Sequence, residues 1–361
     1  MPSAARKRTP LWATALGGIL LLTNSRRQVR AAPKPTRTIP RQTHTGKDRG
    51  RDAASPVEVP AKGWKDVAIR IYHGISEDRI VAISAGVTFF TLLALFPGIA
   101  GLISLYGMVA DPNTMGQHLG MLSGLLPEGG MQIIEEQVQR LASQPAQRLG
   151  FAMLFGLAVS LWSANGGVKA MFDALNIVYR EKEKRSFIKL NVISLAITFG
   201  AVLFVIVSMV AITIAPMLLD YLGLSQFAEI ALKLARWPVL FLIVCFFLAV
   251  IYRYGPSRDK PQWRWITPGS ILASVLWLAA SLLFSWYAEN FGSYNKTYGS
   301  LGAAIGFMTW LWISTIVILL GAKLNAELEH QTAKDTTEGR PKPLGQRNAH
   351  VADTVGAPAS K

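Results

Sequence analysis

The sequence predicts an all-α fold, a polytopic membrane bundle of six transmembrane helices preceded by an interfacial amphipathic helix. Six long apolar runs alternate with short charged loops, and 51% of the 361 residues are apolar against 16% charged. Most runs have the roughly 20 residues that a helix needs to cross about 30 Å of hydrocarbon. The runs are residues 80–110, 149–175, 187–222, 237–254, 265–291 and 298–324.

The first 62 residues predict a basic, largely disordered cytoplasmic tail. Residues 1–79 contain 16 Lys and Arg against 6 Asp and Glu, much of the chain's net charge of +15. Such a tail suits anionic lipid headgroups, so we expect no nucleic-acid partner. Within it, Leu11–Thr23 is apolar but would span only about 20 Å as a helix, too short for a crossing. An uncleaved interfacial stretch is the interpretation, with a seventh span as the alternative.

Residues 63–79 predict an amphipathic helix lying on the membrane surface. Lys65, Asp66, Arg70 and His73 occupy one side of the predicted helix. The other side is an apolar stripe at helical spacing, made of Trp64, Val67, Ala68, Ile71, Tyr72 and Ile75. A stripe of this kind beside a transmembrane span favours an interfacial helix. A groove on a cytosolic partner is the alternative.

The loop charges predict that both termini are cytoplasmic. The loops after the second and fourth spans together carry nine Lys and Arg, whereas the three alternate loops carry five over a greater length. Cationic loops remain on the cytoplasmic side during insertion. Six spans then put both ends inside, and residues 330–361 form a second disordered cytoplasmic tail.

Three polar residues one turn apart in the second span are the sharpest candidate for a functional site. Lys169 and Asp173 are four residues apart, close enough on one helix face for an ion pair, and Asn165 lies one turn further into the membrane. Ionisable groups inside a bilayer are costly and face a bundle interior or a cavity. One interpretation is a polar gate or a contact with a lipid headgroup. The other is a self-neutralised pair that anchors the span at the interface.

Further candidates lie in the first, fifth and sixth spans. Pro97 interrupts the first span and permits a kink that lines a path, or one that serves packing alone. Between the last two spans, the sequence predicts either a site for a headgroup or glycan or an aromatic-belt turn. Its candidate residues are Glu289, Asn290, Tyr294 and Tyr298. Gly302 and Gly306 form a small-xxx-small motif that predicts close helix contact.

Motifs for enzyme chemistry are missing from the sequence. The five histidines are scattered, with no pair at metal-ligand spacing. The glycine pairs lack the flanking residues that cradle a phosphate. The sequence therefore predicts no enzyme, no metal and no cofactor.

Four ordered segments resemble the YihY / virulence factor BrkB family of bacterial inner-membrane proteins, formerly labelled ribonuclease BN-like. They are EDRIVAISAGVTFFTLLALFP (77–97), LWSANGGVKAMFDALN (161–176), YRYGP (252–256) and NFGSYNKTYGSLG (290–302). The resemblance covers roughly residues 64–330. It implies a six-helix inner-membrane protein tied to envelope integrity. One departure is Lys323, which stands where the family pattern has the first Glu of Gly-Ala-Glu-Leu-Asn-Ala-Glu-Leu.

Two classes of function remain open. The first is transport of lipid or an amphiphilic envelope metabolite along a groove lined by spans one, two, five and six. The alternative is a non-transporting scaffold that supports envelope integrity through its basic tail and the outer loop at residues 112–147. The tRNA-processing nuclease of the old family label ranks third. The expected partners are membrane lipids, with further copies of the chain or envelope proteins.

Overall fold

The computed structural model describes residues 47–107, 149–203, 226–291 and 300–358, and the regular elements in these ranges are helices. The α-helices are α1 (Ala61–Glu77), α2 (Ile80–Gly107), α3 (Leu149–Val178), α4 (Phe187–Leu203), α5 (Gln226–Tyr254), α6 (Trp263–Phe291), α7 (Ser300–Glu329) and α8 (His350–Asp353). Short 3-10 turns at Lys47–Arg49 and Pro56–Glu58 precede α1. In the described ranges the single β pairing is an isolated bridge between Pro261 and Thr337. The predicted all-helical class is confirmed for this part of the chain.

Each predicted span falls on one long helix. The first and second spans match α2 and α3 closely, and α5 begins at Gln226, well before the predicted start at Trp237. Helix α4 begins at the predicted Phe187, but the predicted span beyond Leu203 lies outside the described residues. Pro97 does not end its helix, because α2 continues to Gly107.

Among the described residues, two helical segments are long and apolar enough to cross a membrane, Trp263–Tyr287 in α6 and Ala304–Glu329 in α7. Shorter apolar helical segments occur in α2, α4 and α5. Large apolar side chains also point outward along the bundle, as with Leu282, which is 72% exposed, and Phe89, which is 52% exposed. An outward apolar surface of this kind fits contact with lipid rather than water.

The helices pack in a defined order around one core. Helix α2 lies along α3, and α6 packs between α5 and α7. Helix α7 also contacts α2 and α1, so it connects the two halves of the bundle. The largest fully buried apolar side chains include Phe172 and Tyr179 near the end of α3 and Tyr252 near the end of α5.

Helices α6 and α7 approach each other closely at two glycines. A Cβ atom added to Gly321 would lie 2.5 Å from the carbonyl oxygen of Gly269, and one added to Gly269 would lie 2.5 Å from Asn325 Cγ. Glycine is needed where backbones come this near. The sequence analysis assigned close contact to Gly302 and Gly306 instead. Gly302 lies in the first turn of α7, and a Cβ on Gly306 would have only an ordinary contact of 3.9 Å with Phe284.

We expect Gly321→Ala to lower the free energy of unfolding by about 1–3 kcal/mol, because the added methyl group meets a backbone oxygen that moves only if the helices separate. Gly306→Ala is the matched control and should unfold as the wild type does. The measurement is thermal unfolding of both purified variants in the same detergent. Equal melting temperatures for the two variants would contradict the close approach at Gly321.

Residues 330–358 are folded and contact residues 47–60, although the sequence predicts disorder for this tail. Arg51 donates hydrogen bonds to the carbonyl oxygens of Gln331 (3.1 Å) and Gly356 (2.5 Å). The Thr332 hydroxyl donates to the carbonyl oxygen of Ala53 at 2.7 Å. Residues 47–60 of the predicted disordered first tail are thus ordered as well. Arginine–carbonyl hydrogen bonds connect both stretches, together with the buried side chains of Val59 and Val351, and composition does not reveal such bonds.

Arg347 is the central residue of the folded tail. Its side chain is 4% exposed, and its guanidinium donates to four backbone carbonyls. The acceptors belong to Ala333 (2.8 Å), Lys334 (3.0 Å), Lys342 (3.0 Å) and Ala352 (2.6 Å). The Arg347 guanidinium thereby satisfies four backbone carbonyl groups that do not accept a hydrogen bond within a helix or strand.

Replacing Arg347 by Ala should release residues 330–358, because the four carbonyl groups would lose their shared donor at about 1–3 kcal/mol for each one left buried. Hydrogen exchange followed by mass spectrometry should then show faster exchange in this segment alone. Arg340→Ala removes an exposed arginine of the same tail and serves as the control. Unchanged exchange in Arg347→Ala would mean that other contacts hold the tail.

Helix α1 packs on the rest of the protein through a face that includes a residue of the predicted polar side. Asp66, expected on the polar side, is 1% exposed and accepts a hydrogen bond from Arg49 at 2.7 Å. Val67 of the apolar stripe is buried beside it, whereas Trp64 is 39% exposed and Tyr72 is 74% exposed. The helix therefore packs on the protein through a mixed face and leaves an aromatic edge outside.

Candidate functional site

Asn165 lies on the core face of α3. It is in helical register with Phe172 and Tyr179, whose side chains are buried in the main apolar cluster. Asn165 itself is 0% exposed. Both its amide nitrogen and its carbonyl oxygen are buried, and neither has a hydrogen-bond partner among the residues that the structure describes. A carboxamide in this state is a strong donor and acceptor held in an apolar setting, which is costly unless something else binds it.

Lys169, one turn along α3, does not form the predicted ion pair with Asp173. Its Nζ atom donates to Asn191 Oδ1 on α4 at 2.6 Å and lies 5.2 Å from the centroid of the Trp162 ring. Asn191 is fixed in turn, because its amide donates to the carbonyl oxygen of Phe187 at 2.7 Å. A positioned amide oxygen and an aromatic face together provide a good site for the ammonium group.

Asp173 is exposed on the outside of α3, and it makes no ion pair within the described ranges. Lys169 likewise has no carboxylate partner in this part of the chain. Helix α3 therefore presents three polar groups one turn apart with three different environments. Asn165 is buried and unpartnered, Lys169 is half-buried and held by neutral groups, and Asp173 is open to the surroundings.

The other predicted site residues belong to other helices or lie outside the described residues. Pro97 lies inside α2, and Glu289 and Asn290 lie near the end of α6. Tyr294 and Tyr298 fall outside the described residues. The predicted site between the fifth and sixth spans therefore stays a prediction, as does the outer loop at residues 112–147, which also lies outside them.

One end of the bundle, here called the charged end, consists of α1, residues 179–186, residues 255–262 and residues 330–358. A buried charge network there joins α1, the turn before α2, and α7. Lys323 is 1% exposed, and its Nζ atom contacts Asp78 Oδ2 at 2.6 Å and Glu327 Oε1 at 3.1 Å. Arg70 donates to Glu327 Oε2 at 2.6 Å. Two cations and two carboxylates balance one another.

This network gives Lys323 a structural role that the sequence did not reveal. The lysine is the only link between Asp78 and Glu327 among the ion pairs of the described residues. The i,i+4 spacing of Lys323 and Glu327 was a usable signal. The contact with Asp78 could not be read from spacing, because 245 residues separate the two partners.

A second buried pair lies nearby. The guanidinium of Arg258 and the carboxylate of Glu329 are both 0% exposed and meet at 2.6 Å. Thr336 of the tail donates to the same carboxylate at 2.7 Å. Burial alone would lower the pKa of Arg258, but the Glu329 carboxylate outweighs it, and the pKa is raised. Burial also raises the pKa of Tyr179, whose ring lies 5.3 Å from the guanidinium, so that phenol stays protonated.

The loop after α3 contains a separate carboxylate that is held ionised. Burial would raise the pKa of Glu183, but hydrogen bonds from the side chain and backbone of Arg185 outweigh it and lower the pKa to about 2. Arg185 also donates to the carbonyl oxygens of Tyr254 (3.1 Å) and Gly255 (2.8 Å). These contacts connect the loop to the end of α5.

These features define a helical membrane protein. It has long apolar helices with outward apolar side chains, polar groups on one inner helix, and a charged end with ordered loops. The sequence profile described as virulence factor BrkB matches residues 71–345. The chain therefore belongs to the virulence factor BrkB family, and the resemblance seen in the sequence is confirmed.

Similar curated proteins come from several bacteria. The "Putative ribonuclease-like protein YfkH" of Bacillus subtilis is 30% identical over 249 residues, which cover 68% of this chain and 88% of that protein. A UPF0761 membrane protein of Idiomarina loihiensis is 29% identical over 217 residues, covering 58% and 71%. One from Haemophilus influenzae is 22% identical over 267 residues, covering 73% and 96%. No solved structure matches the chain.

The ribonuclease-like name belongs to the Bacillus subtilis relative. In the described ranges of the present chain, no group of three His, Cys, Asp or Glu side chains is arranged to hold a metal ion. The clusters of charged side chains at the charged end consist of mutually neutralised pairs.

Lys323→Met should destabilise the folded protein by about 3–5 kcal/mol, because it leaves the Asp78 carboxylate buried without its cation and Glu327 with Arg70 alone. The double variant Lys323→Met, Asp78→Asn should recover part of this loss, since it removes the carboxylate that lost its partner. Thermal unfolding in detergent, compared across a double-mutant cycle, measures the coupling. Strictly additive effects would contradict a direct interaction between Lys323 and Asp78.

Proposed function

We propose that this chain is a six-span inner-membrane protein with both termini in the cytoplasm, and that it moves lipid or an amphiphilic envelope metabolite across the bilayer. The charged end then faces the cytoplasm, in agreement with the cationic loops after α3 and α5. The proposed groove runs along α2, α3, α6 and α7, which correspond to spans one, two, five and six. Membership of a membrane-protein family supports the setting of this proposal.

The unpartnered amide of Asn165 is the observation that carries the proposal. Leaving a buried polar group without a hydrogen bond costs about 1–3 kcal/mol, so a purely structural position would favour leucine or another apolar residue. A transported headgroup with phosphate, hydroxyl or amine groups would satisfy the donor and the acceptor during its passage. The cost in the empty protein would then be recovered when the cargo is bound.

Lys169 and Asp173 support the same function. Lys169 is held by an amide and an aromatic ring rather than by a carboxylate, so an anionic group would find an uncompensated cation there. Asp173 offers an exposed carboxylate one turn nearer the charged end. An amphiphile that enters beside Asp173 would meet Lys169 next and Asn165 after that. Three polar side chains one turn apart along α3 would contact the headgroup in succession as it crosses the apolar part of the bundle.

The experiment is lipid translocation in liposomes that contain the purified full-length protein. A fluorescent phospholipid is quenched from outside by a membrane-impermeant reductant, and quenching of inner-leaflet lipid reports movement. The wild type should quench faster than empty vesicles. Asn165→Leu and Asp173→Asn should each slow this movement by about tenfold, the scale of one lost hydrogen bond to a charged group.

Thermal unfolding separates lost function from lost folding. Asn165→Leu should be as stable as the wild type or more so, because it replaces an unpartnered amide by an apolar group of similar size. Thr198→Val is the control, since it removes a buried hydroxyl whose hydrogen bond goes to the carbonyl of Ser194 in its own helix at 2.8 Å. Normal translocation by Asn165→Leu would exclude this route. A wild type that matches empty vesicles would favour the scaffold function.

A further inference from the structure

A cleft opens at the charged end between the start of α2 and the last turn of α3. Its volume is about 390 Å³, within the size range of small-ligand sites. The lining consists of an apolar floor, Ala82, Ile83 and Ile177, and a polar rim, Glu77, Asp78 and Arg79. We propose that this cleft binds the phosphate headgroup of a glycerophospholipid, with the Arg79 guanidinium as the phosphate ligand.

The charges of the rim favour an anion. Asp78 is neutralised by Lys323 at 2.6 Å, and Glu77 faces Arg180 at 3.5 Å. Arg79 is exposed, and its guanidinium makes no hydrogen bond or ion pair in the described part of the chain. The rim therefore has one cation in excess. A guanidinium matches two phosphate oxygens with two parallel N–H groups, which makes arginine the preferred side chain for this contact.

The backbone conformation at position 79 does not favour arginine. The residue has a φ of +52°, in the left-handed region that glycine and asparagine adopt more readily than other residues. The tight turn between α1 and α2 would therefore form more easily with glycine. In the described part of the chain the Arg79 side chain makes no hydrogen bond or ion pair that offsets this cost, so its guanidinium is available to an external anion.

The surface beyond the cleft identifies the ligand as a lipid rather than a soluble phosphate. Ile177 in the floor is 43% exposed, and Phe89, two turns along α2 from Ala82, is 52% exposed. Acyl chains attached to a phosphate at Arg79 would cover these apolar side chains. In a membrane protein, the charged end of a helix bundle lies at the depth of lipid headgroups. This site does not depend on transport, because a lipid bound there need not move.

The test is native mass spectrometry of the full-length protein in detergent with dioleoylphosphatidylglycerol, dioleoylglycerol or glycerol 3-phosphate. The wild type should retain the phospholipid and lose the other two, since one lacks the phosphate and the other lacks the chains. Arg79→Gly should weaken phospholipid retention by about tenfold, the scale of one charge-assisted hydrogen bond. It should not lower the melting temperature, because glycine suits the left-handed backbone.

Arg340→Gly is the matched control, because it removes the same charge from an exposed position on the tail, and it should retain phospholipid as the wild type does. Equal retention by Arg79→Gly and the wild type would overturn the proposal. Equal retention of dioleoylglycerol would exclude phosphate recognition, and equally tight binding of glycerol 3-phosphate would exclude a lipid site. Arg79-dependent retention by a protein that moves no lipid in liposomes would refute the transport proposal alone.

Discussion

The neutralisation of Lys323 inside the protein is the interaction on which the charged end depends. Its ammonium group is 1% exposed and would be costly there without the carboxylates of Asp78 and Glu327. Asp78 fixes the corner between α1 and α2, and Glu327 lies on the last turn of α7. Glu327 also binds Arg70, which donates to the carbonyl oxygen of Ala357 at 3.2 Å and so connects the tail to the same network.

The buried charges of the charged end are paired, whereas one buried amide in α3 is not. Lys323 and Arg258 are buried with close carboxylate partners, so these positions are rigid and electrically neutral. Asn165 is equally buried and has no partner. The same bundle therefore contains paired buried charges at the charged end and an unpartnered buried amide in α3.

Hydropathy was sufficient to predict the helices, because an apolar run of bilayer length has few alternatives to a helix. It did not predict partners. Helical spacing indicated a contact between Lys169 and Asp173, but Asn191 on the next helix competes successfully for the ammonium group. Composition suggested two disordered tails, and the hydrogen bonds of Arg51 and Arg347 order part of each. Contacts between residues far apart in sequence, or between side chain and backbone, leave no periodic signal.

The charged end is assembled from the two extremes of the described chain, and this has a consequence for biogenesis. Arg70 and Asp78 leave the ribosome about 250 residues before Glu327 and Lys323, their partners in the network. During that interval their charges have no internal counter-ions and must stay hydrated or bind other groups at the membrane surface. Closure of this end is therefore a late, post-insertion step of maturation. Ribosome-bound intermediates that lack α7 would expose these residues to chaperones and quality-control proteases.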